Sequence, residues 1–277
     1  MQGGRVGSFM KKLSVLALSV AAVLASASFA ANAGTLKIGA TPMPHAEILE
    51  HLKAAAEAKG IDLQIIEFND YVQPNLAADD GELDGNFFQH RPYLDVFVKD
   101  HGVNLVSVCS VHIEPMGVYS NKIKDLKDLK DGALVGIPND PTNGGRSLLL
   151  LASAGLIKVA NPNDVTTTVL DITENPKNLE FRELEAAQLP RALDDLDVAV
   201  INTNYALPAG LNPNDDALLI EGSESPYVNI VAANPDKAKS ADMQELAKLL
   251  TSEETAKFIS EKYQGAVVPA GQIDEIK

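Results

Sequence analysis

The residues that most clearly suggest a binding site lie in the segment 135–154, which reads VGIPNDPTNGGRSLLLLASA. An apolar run, a cluster of turn residues and a second apolar run predict a strand, a glycine-containing turn and a helix. The first N–H groups of such a helix lack partners within it and carry the positive end of its dipole. Gly144 and Gly145 allow a close approach to this backbone, and Arg146 adds a planar donor suited to a carboxylate. The segment therefore predicts a site for a small anion.

Two helix starts fit the turn in this segment. Asp140 caps the helix with Pro141 in its first position, or Asn143 caps it with the two glycines in its first turn. An ordinary strand–helix turn with a solvated Arg146 is the interpretation without a ligand. A P-loop is excluded, because the chain contains no Gly-x4-Gly-Lys-Ser/Thr pattern.

The second informative segment, residues 86–93 (NFFQHRPY), places three aromatic rings, an imidazole and an amide at the end of a predicted strand. Strand alternation puts Phe88 and His90 on one face. Phe87 and Gln89 then lie on the other face. An apolar slot with one or two polar tips suits a small molecule with an apolar tail. We expect Phe88 and His90 to face such a ligand and Phe87 to pack at the edge of the core.

All histidines of the chain fall within residues 45–112, which raises the question of a metal site. They are His45, His51, His90, His101 and His112. His112 and Glu114 stand two apart on one strand face, but no pair of histidines has the spacing of ligands on a helix. We therefore expect no metal and no cofactor. A solute receptor that binds a metal through His90 and His112 remains an alternative.

Catalysis is not predicted by any motif in the chain. There is no Gly-x-Ser-x-Gly pattern, and the single cysteine, Cys109, lies within the apolar run 105–111. Such a position predicts a buried thiol, and Cys109 has no evident partner for nucleophilic chemistry. We expect the protein not to be an enzyme, and a periplasmic enzyme stays as a third alternative.

Strands and helices alternate along most of the chain. Apolar alternation predicts strands at residues 35–40, 61–68, 86–89, 135–137, 166–170, 179–182 and 198–202. Helical spacing predicts helices at residues 48–56, from 74, 92–100, 125–131, from the turn at 140–145, 185–193, 241–250 and 252–262. This order predicts an α/β fold with largely parallel sheets.

Two apolar segments, 105–119 and 227–233, are expected to cross between two lobes. A weak internal repeat supports two lobes, since residues 76–84 (LAADDGELD) resemble residues 189–197 (LPRALDDLD). Each copy leads into a strand that ends in polar residues. Two equivalent units would face these polar ends across a cleft, where α/β sheets usually bind ligands.

The first 33 residues have the pattern of a secretory signal peptide. Lys11 and Lys12 precede an apolar run at 13–30, and Ala-Asn-Ala precedes Gly34 as a small-residue cleavage site. No cysteine follows that site to carry a lipid, and no other stretch reaches the length of a membrane span. We therefore expect an exported protein that diffuses freely.

Charge limits the partners of this chain. The formal net charge is −15, and it becomes −18 without residues 1–33, which carry three basic residues and no acid. A surface this acidic repels nucleic acid and anionic lipid. We expect a small-molecule ligand, no nucleic acid and a monomer.

Five motifs taken together resemble those of a known family. They are FNDYVQPN (68–75), NFFQHRPYLD (86–95), GIPNDPTNGGRSLLLL (136–151), VAVINTNYA (198–206) and ESPYVNIV (224–231). In this order they resemble the NlpA/MetQ family, the methionine-binding proteins of bacterial ABC importers, over nearly all of residues 36–268. The resemblance implies an α/β, two-lobed periplasmic-binding-protein fold of type 2 that closes on its ligand. It divides the chain into a signal peptide (1–33), lobe 1 (34–115 plus 229–277) and lobe 2 (116–228).

The resemblance also implies roles for individual residues. Arg146 pairs with the carboxylate of the ligand, and Asn143 lies beside it. The residues that shape the side-chain pocket are Tyr71, Phe88, His90 and Tyr93. The residues that hold the amino-acid head group from the other side are Asn202 and Asn229, with Asn204 as a neighbour.

The ligand implied is L- or D-methionine, and the partner is the permease and ATPase complex of an ABC importer. A methionyl dipeptide or another apolar amino acid is the alternative ligand, since the volume of the side-chain pocket decides between them. Most family members are lipoproteins with a cysteine at the cleavage site, where this chain has Ala-Asn-Ala-Gly. That departure predicts a protein without the family's membrane tether.

Overall fold

The structure is a computed structural model that describes residues 34–222 and 225–276. The predicted signal peptide, residues 1–33, lies outside this part of the chain. Within the described ranges, none of the helices combines the length and the apolar character that a membrane span requires.

Thirteen strands and ten α-helices make up the described chain. The strands are β1 (Gly34–Ala40), β2 (Ile61–Glu67), β3 (Gly85–His90), β4 (Val106–Ile113), β5 (Gly117–Tyr119), β6 (Leu134–Pro138), β7 (Lys158–Val159), β8 (Ile172–Glu174), β9 (Glu180–Leu184), β10 (Val198–Ile201), β11 (Leu219–Ile220), β12 (Val228–Ala233) and β13 (Val268–Ile273). The helices are α1 (Glu47–Ala58), α2 (Gln73–Asp79), α3 (Arg91–His101), α4 (Pro141–Ser153), α5 (Leu189–Ala192), α6 (Thr203–Ala206), α7 (Pro213–Asp216), α8 (Pro235–Ala238), α9 (Ala241–Leu250) and α10 (Glu253–Tyr263).

The first sheet has six strands in the order β13-β4-β12-β3-β1-β2. Strands β2, β1 and β3 are parallel, whereas β12 pairs antiparallel with both β3 and β4, and β13 pairs antiparallel with β4. The prediction of largely parallel sheets is therefore right for one half of this sheet and wrong for the other. Helices cover both faces, with α1 and α9 in one apolar core and α3 in another.

The second sheet has five strands in the order β11-β5-β10-β6-β9. Strands β10, β6 and β9 are parallel, and β5 and β11 are antiparallel to their neighbours. Helix α4 packs its apolar residues on one face, and α5 and α6 contribute to the core on the other. A sheet covered on both faces leaves its strand ends as the place where polar side chains can meet a ligand.

The chain passes between the sheets twice. The first passage, residues 114–116, joins β4 of the first sheet to β5 of the second. The second passage, whose described residues are 221–222 and 225–227, leads from β11 back to β12. The sequence placed the return at residues 227–233, but that stretch pairs almost throughout with β3 and β4 inside the first sheet. Glu114 of the first passage lines the cavity between the sheets, and Glu221 of the second accepts a hydrogen bond from Arg146, which lines it too.

The predicted strand at residues 166–170 is wrong. No strand forms at residues 166–170, because Thr168 donates from its backbone N and its hydroxyl to Asp171 Oδ2, at 2.8 Å each, and so closes a short turn. The segment that begins at Val268 forms β13 at the sheet edge, where Pro269 is tolerated. Cys109 is buried as predicted, and burial raises the pKa of its thiol to about 12.

Candidate functional site

A cavity lies between the two sheets, with about 320 Å³ of space that no protein atom fills. The residues that line it are Tyr71, Phe88, Gln89, His90, Tyr93, Glu114, Asn143, Arg146, Asn202, Thr203, Asn204 and Asn229. All eight residues that the sequence analysis proposed for the site are among them, as is Asn204, which it named as a neighbour. Gln89, Glu114 and Thr203 are additions that the sequence analysis did not propose.

The start of α4 forms one wall of the cavity. Of the two helix starts considered, the one capped by Asp140 with Pro141 in the first turn is correct, and Asp140 Oδ1 accepts from the Asn143 backbone N at 2.9 Å. The Asn143 amide nitrogen also donates to both carboxylate oxygens of Asp140, at 3.0 Å each. Burial raises the pKa of the Asp140 carboxyl, and these bonds from Asn143 oppose that rise. Because Asp140 holds the Asn143 nitrogen, the amide oxygen is turned toward the cavity.

The two glycines of α4 serve packing rather than the ligand. A Cβ at Gly144 would lie 2.9 Å from the carbonyl oxygen of Pro138, and one at Gly145 would lie 2.4 Å from that of Val165. Both distances are too short for a side chain, so glycine lets two backbone segments approach the helix. The sequence analysis placed a ligand where the structure places the protein's own main chain.

Arg146 is buried and is already bonded to both passages between the sheets. Its Nε donates to Glu221 Oε1 at 3.0 Å, and its Nη2 donates to Glu221 Oε2 and, at 2.8 Å, to the backbone oxygen of Glu114. The guanidinium also lies 4.2 Å from the centre of the Tyr227 ring. Its Nη1 makes no hydrogen bond to any residue that the structure describes. An anion in the cavity therefore meets a cation whose plane the protein has fixed.

His90 links the two sides of the cavity. It caps α3, and its Nδ1 accepts from the Tyr93 backbone N at 3.1 Å, so the ring proton sits on Nε2. Nε2 donates to Asn143 Oδ1 at 3.0 Å, which joins a residue of the first sheet to α4. Burial, assisted by the charge of Arg146, lowers the pKa of His90 to about 3. The imidazole is therefore neutral at physiological pH and acts as a hydrogen-bond donor to Asn143.

An aromatic wall closes the cavity on the side of the first sheet. The rings of Tyr71, Phe88 and Tyr93 have centroids 5.9–6.0 Å apart and lie tilted or edge to face. Tyr93 donates its hydroxyl to the backbone oxygen of Tyr71 at 2.8 Å. Tyr71 in turn donates to Asn204 Oδ1 at 2.6 Å, a bond from the first sheet's side to α6. Phe87 packs in the core as expected, with its ring centroid 4.7 Å from that of His45.

Two amides at the cavity each have a polar atom to which no described residue forms a hydrogen bond. Asn202 donates from Nδ2 to Asn143 Oδ1 at 2.9 Å, but its own Oδ1 has no hydrogen-bond partner in the described ranges. The same holds for Asn204 Nδ2. Since buried polar groups are nearly always hydrogen bonded, these atoms indicate that the cavity accommodates a polar group.

A buried group of two histidines and one glutamate lies beside the cavity. His112 Nε2 lies 2.7 Å and His45 Nε2 lies 3.2 Å from Glu114 Oε1. The sequence analysis paired His112 with Glu114 but did not find His45, which follows β1 by a few residues. The metal alternative required His90 with His112, yet His90 bonds to Asn143 and Tyr93 instead. Hydrogen bonds account for the close approach of these three side chains.

A cavity enclosed between two α/β sheets, with two chain passages beside it, defines a two-lobed substrate-binding protein. The sequence profile described as NlpA lipoprotein matches residues 36–271, and the chain belongs to that family. Its described residues form the expected mixed α/β fold, with two large sheets and a two-stranded sheet of β7 and β8.

Relatives of known character support this assignment. The chain is 43% identical over 265 residues to the probable D-methionine-binding lipoprotein MetQ of Vibrio cholerae, a match that covers 93% of this chain and 98% of that protein. It resembles a nutrient binding protein from Burkholderia cenocepacia solved bound to methionine, with TM-score 0.82 and 46% identity over 85% of this chain and 99% of the other. An ABC transporter periplasmic substrate-binding protein from Coxiella burnetii matches with TM-score 0.81 and 42% identity over 85% of this chain and all of the other.

Proposed function

We propose that this protein captures methionine, in the L or D form, and delivers it to an ABC importer. The observation that carries the proposal is the division of one cavity into a cationic, amide-lined end and an aromatic end. A zwitterion with an unbranched apolar tail matches both ends. The thioether of methionine gains about 0.3–1.5 kcal/mol from contact with an aromatic ring. The named ligands of the relatives have the same chemistry.

The residues have separate roles in this proposal. Arg146 binds the carboxylate, and Asn143 lies next to it. The aromatic wall of Tyr71, Phe88 and Tyr93 holds the side chain, with His90 at its edge. Asn202 and Asn229 hold the head group, and the unpartnered Asn202 Oδ1 is an acceptor of the kind that an ammonium needs.

Capture requires no chemistry, only closure of two lobes. We assign residues 34–115 and 229–277 to lobe 1 and residues 116–228 to lobe 2. The bonds His90–Asn143 and Tyr71–Asn204 join the lobes across the cavity in the closed form. Two states that differ in these bonds allow the importer to distinguish loaded from empty protein.

The transport partner is the permease and ATPase complex of the importer, and the binding protein acts as a monomer. Cleavage after residue 33 releases it into the periplasm without a lipid, in contrast to relatives named as lipoproteins. Intact-mass measurement of the exported protein tests this step. A mass equal to that of a chain beginning at Gly34 supports cleavage without lipid attachment, and the additional mass of a lipid contradicts it.

Native mass spectrometry of freshly purified protein, followed by denaturation, tests the ligand. We expect a released molecule with the mass of methionine, and chiral chromatography then assigns L or D. Release of a molecule with a different mass would identify another ligand for the same site. An empty protein that gains no thermal stability with L- or D-methionine would contradict the proposed function.

A further inference from the structure

Glu114 is a buried carboxylate in the first passage between the lobes, and it lines the cavity. Three donors surround it: His112 Nε2 at 2.7 Å, His45 Nε2 at 3.2 Å and the backbone N–H of Asn204. The two histidines belong to lobe 1 and Asn204 to lobe 2. This number of donors is typical of a carboxylate that the protein holds in its charged form.

The hydrogen bonds fix which nitrogen of His45 carries the proton. Its Nε2 faces two acceptors, Glu114 Oε1 at 3.2 Å and Asn229 Oδ1 at 3.0 Å, and must therefore be protonated. Its Nδ1 then accepts from the Thr41 hydroxyl at 2.8 Å. His45 is thus a donor that orients both Glu114 and Asn229.

His112 is the second donor to the same oxygen. Its Nε2 donates to Glu114 Oε1, and its Nδ1 has no partner in the part of the chain that the structure describes. Burial lowers the pKa of His112 to about 3 and that of His45 to about 4. Both imidazoles are neutral at physiological pH, so they supply hydrogen bonds to Glu114 but no positive charge.

The charge of Glu114 has no cation of its own among the described side chains. Arg146 reaches only the backbone oxygen of Glu114, while its Nε and Nη2 form an ion pair with the Glu221 carboxylate. Burial accordingly raises the pKa of the Glu114 carboxyl, and the charge of Arg146 and the hydrogen bond from the Asn204 backbone oppose that rise. A buried carboxylate that lacks a cation favours a ligand that brings one.

We propose that Glu114 binds the α-ammonium group of the ligand, and that His45 and His112 are positioning residues that hold its carboxylate toward the cavity. This inference rests on the proposed function and names the group within the same site that selects for a free amino group. The ligand's two charges then meet separate partners, Arg146 in α4 and Glu114 in the first passage. A ligand without the amino group would leave Glu114 buried and unpaired.

The test compares methionine with its deaminated analogue, 4-(methylthio)butanoate, by isothermal titration calorimetry. The wild-type protein is expected to prefer methionine by about 100-fold or more, on the scale of a buried charge pair left half made. Glu114→Gln should reduce this preference by about tenfold or more, because the neutral amide no longer favours the ammonium. The ratio of the two affinities is the readout, since general damage to the fold weakens both ligands together.

Variants of His112 separate positioning from packing. His112→Phe keeps a ring but removes the donor, and it should lower the preference for methionine. His112→Gln keeps an N–H donor in a similar place and should restore most of it. His51→Gln, at an exposed histidine outside the cavity, is the matched control.

Three results would overturn the inference. One is equal weakening of both ligands by Glu114→Gln. Another is a wild-type protein that binds both ligands equally well, a result that needs no variant to fold and leaves methionine binding itself intact. The third is stoichiometric zinc in the purified protein that His45→Gln removes, since the Nε2 atoms would then hold a metal in place of protons. Failure of the wild type to bind methionine at all would instead contradict the proposed function.

Discussion

The two lobes bring opposite kinds of chemistry to one cavity. Lobe 1 supplies aromatic rings and imidazoles that burial keeps neutral, with Glu114 at its boundary. Lobe 2 supplies the guanidinium of Arg146, the start of a helix and the amides of Asn143 and Asn202. Neither surface alone satisfies a zwitterion with an apolar tail, because each lacks the partner for part of it. The difference explains why a small ligand requires both lobes, and hence closure, to be held tightly.

The lobes also differ in how they fix their side chains. In lobe 1 a buried network of Asn75, Asn86 and Gln89, with bonds of 2.7–2.9 Å, supports the strand that carries Phe88 and His90. In lobe 2 the Asp140 cap of α4 fixes Asn143, and the ion pair with Glu221 fixes Arg146. Neutral bonds hold one wall and charged bonds hold the other, so the two walls should respond differently to substitution and to pH.

The largest effect is expected from Arg146→Ala in lobe 2. Methionine affinity should fall by about 2–4 kcal/mol, because the buried carboxylate would lose its cation. Titration calorimetry measures the loss, and a decrease under about tenfold would contradict the role of Arg146. Arg146→Lys keeps the charge but loses the planar contact with Glu221, and it should fall between the wild type and the alanine variant.

Acid should affect lobe 1 through its neutral histidines. The pKa of His112 is about 3 in the folded protein and 6.5 ordinarily, so the unfolded chain takes up a proton first as the pH falls. The free energy of unfolding therefore declines from about pH 6.5 downward, by about 1.4 kcal/mol per pH unit for one such group. His112→Gln removes this group, and between pH 7 and 4.5 its stability should fall by about 2–3 kcal/mol less than that of the wild type.

Urea unfolding at several pH values measures this difference. The exposed histidine variant His101→Gln controls for the loss of an imidazole outside the core. Parallel curves for the wild type and His112→Gln would show that the histidine does not titrate as described.

Asn229→Ala is expected to have a smaller effect on binding. The amide accepts from His45 at 3.0 Å and lines the cavity, so its loss should weaken methionine binding by at least about 1 kcal/mol. Equilibrium dialysis with labelled methionine measures the change. Asn104→Ala, at an exposed position of lobe 1, is the matched control, and equal affinity of the two variants would remove Asn229 from the site.

The smallest effect concerns the contact between the lobes. Tyr71→Phe removes the hydroxyl that donates to Asn204, and should weaken binding by about 0.5–1.5 kcal/mol because the closed form loses one hydrogen bond. Tyr205→Phe removes a longer hydrogen bond, from the Tyr205 hydroxyl to the Asn69 backbone oxygen at 3.2 Å, and should weaken methionine binding less than Tyr71→Phe does. Small-angle scattering with saturating ligand should show the same compact form for both variants. An expanded form of Tyr71→Phe would mean that this bond is essential to closure.

Local sequence motifs predicted those parts of the site that are formed by residues close together in the sequence. The turn at Asp140 and the aromatic run after Asn86 carry their own signals, so the helix start and much of the apolar wall were foreseeable. The pairing of Arg146 with Glu221 joins residues 75 positions apart, and no periodicity records it. His45 and Glu114 likewise meet only through the fold. The prediction that Gly144 and Gly145 make room for a ligand was wrong. A glycine is needed wherever another group comes close to the backbone, and the sequence does not show whether that group is a ligand or another segment of the chain.

Strand β12 lies in the middle of the first sheet, although it follows every strand of the second sheet along the chain. Because the chain is synthesised from its amino end, β3 and β4 cannot complete their pairing until β12, which lies between them in the sheet, has been made. The second sheet is complete once residue 220 has emerged, so it can form first. Assembly of the first sheet depends on contacts between distant parts of the chain and should be the slower step. A polypeptide stopped before residue 228 would have a complete second sheet and a first sheet without its central strand.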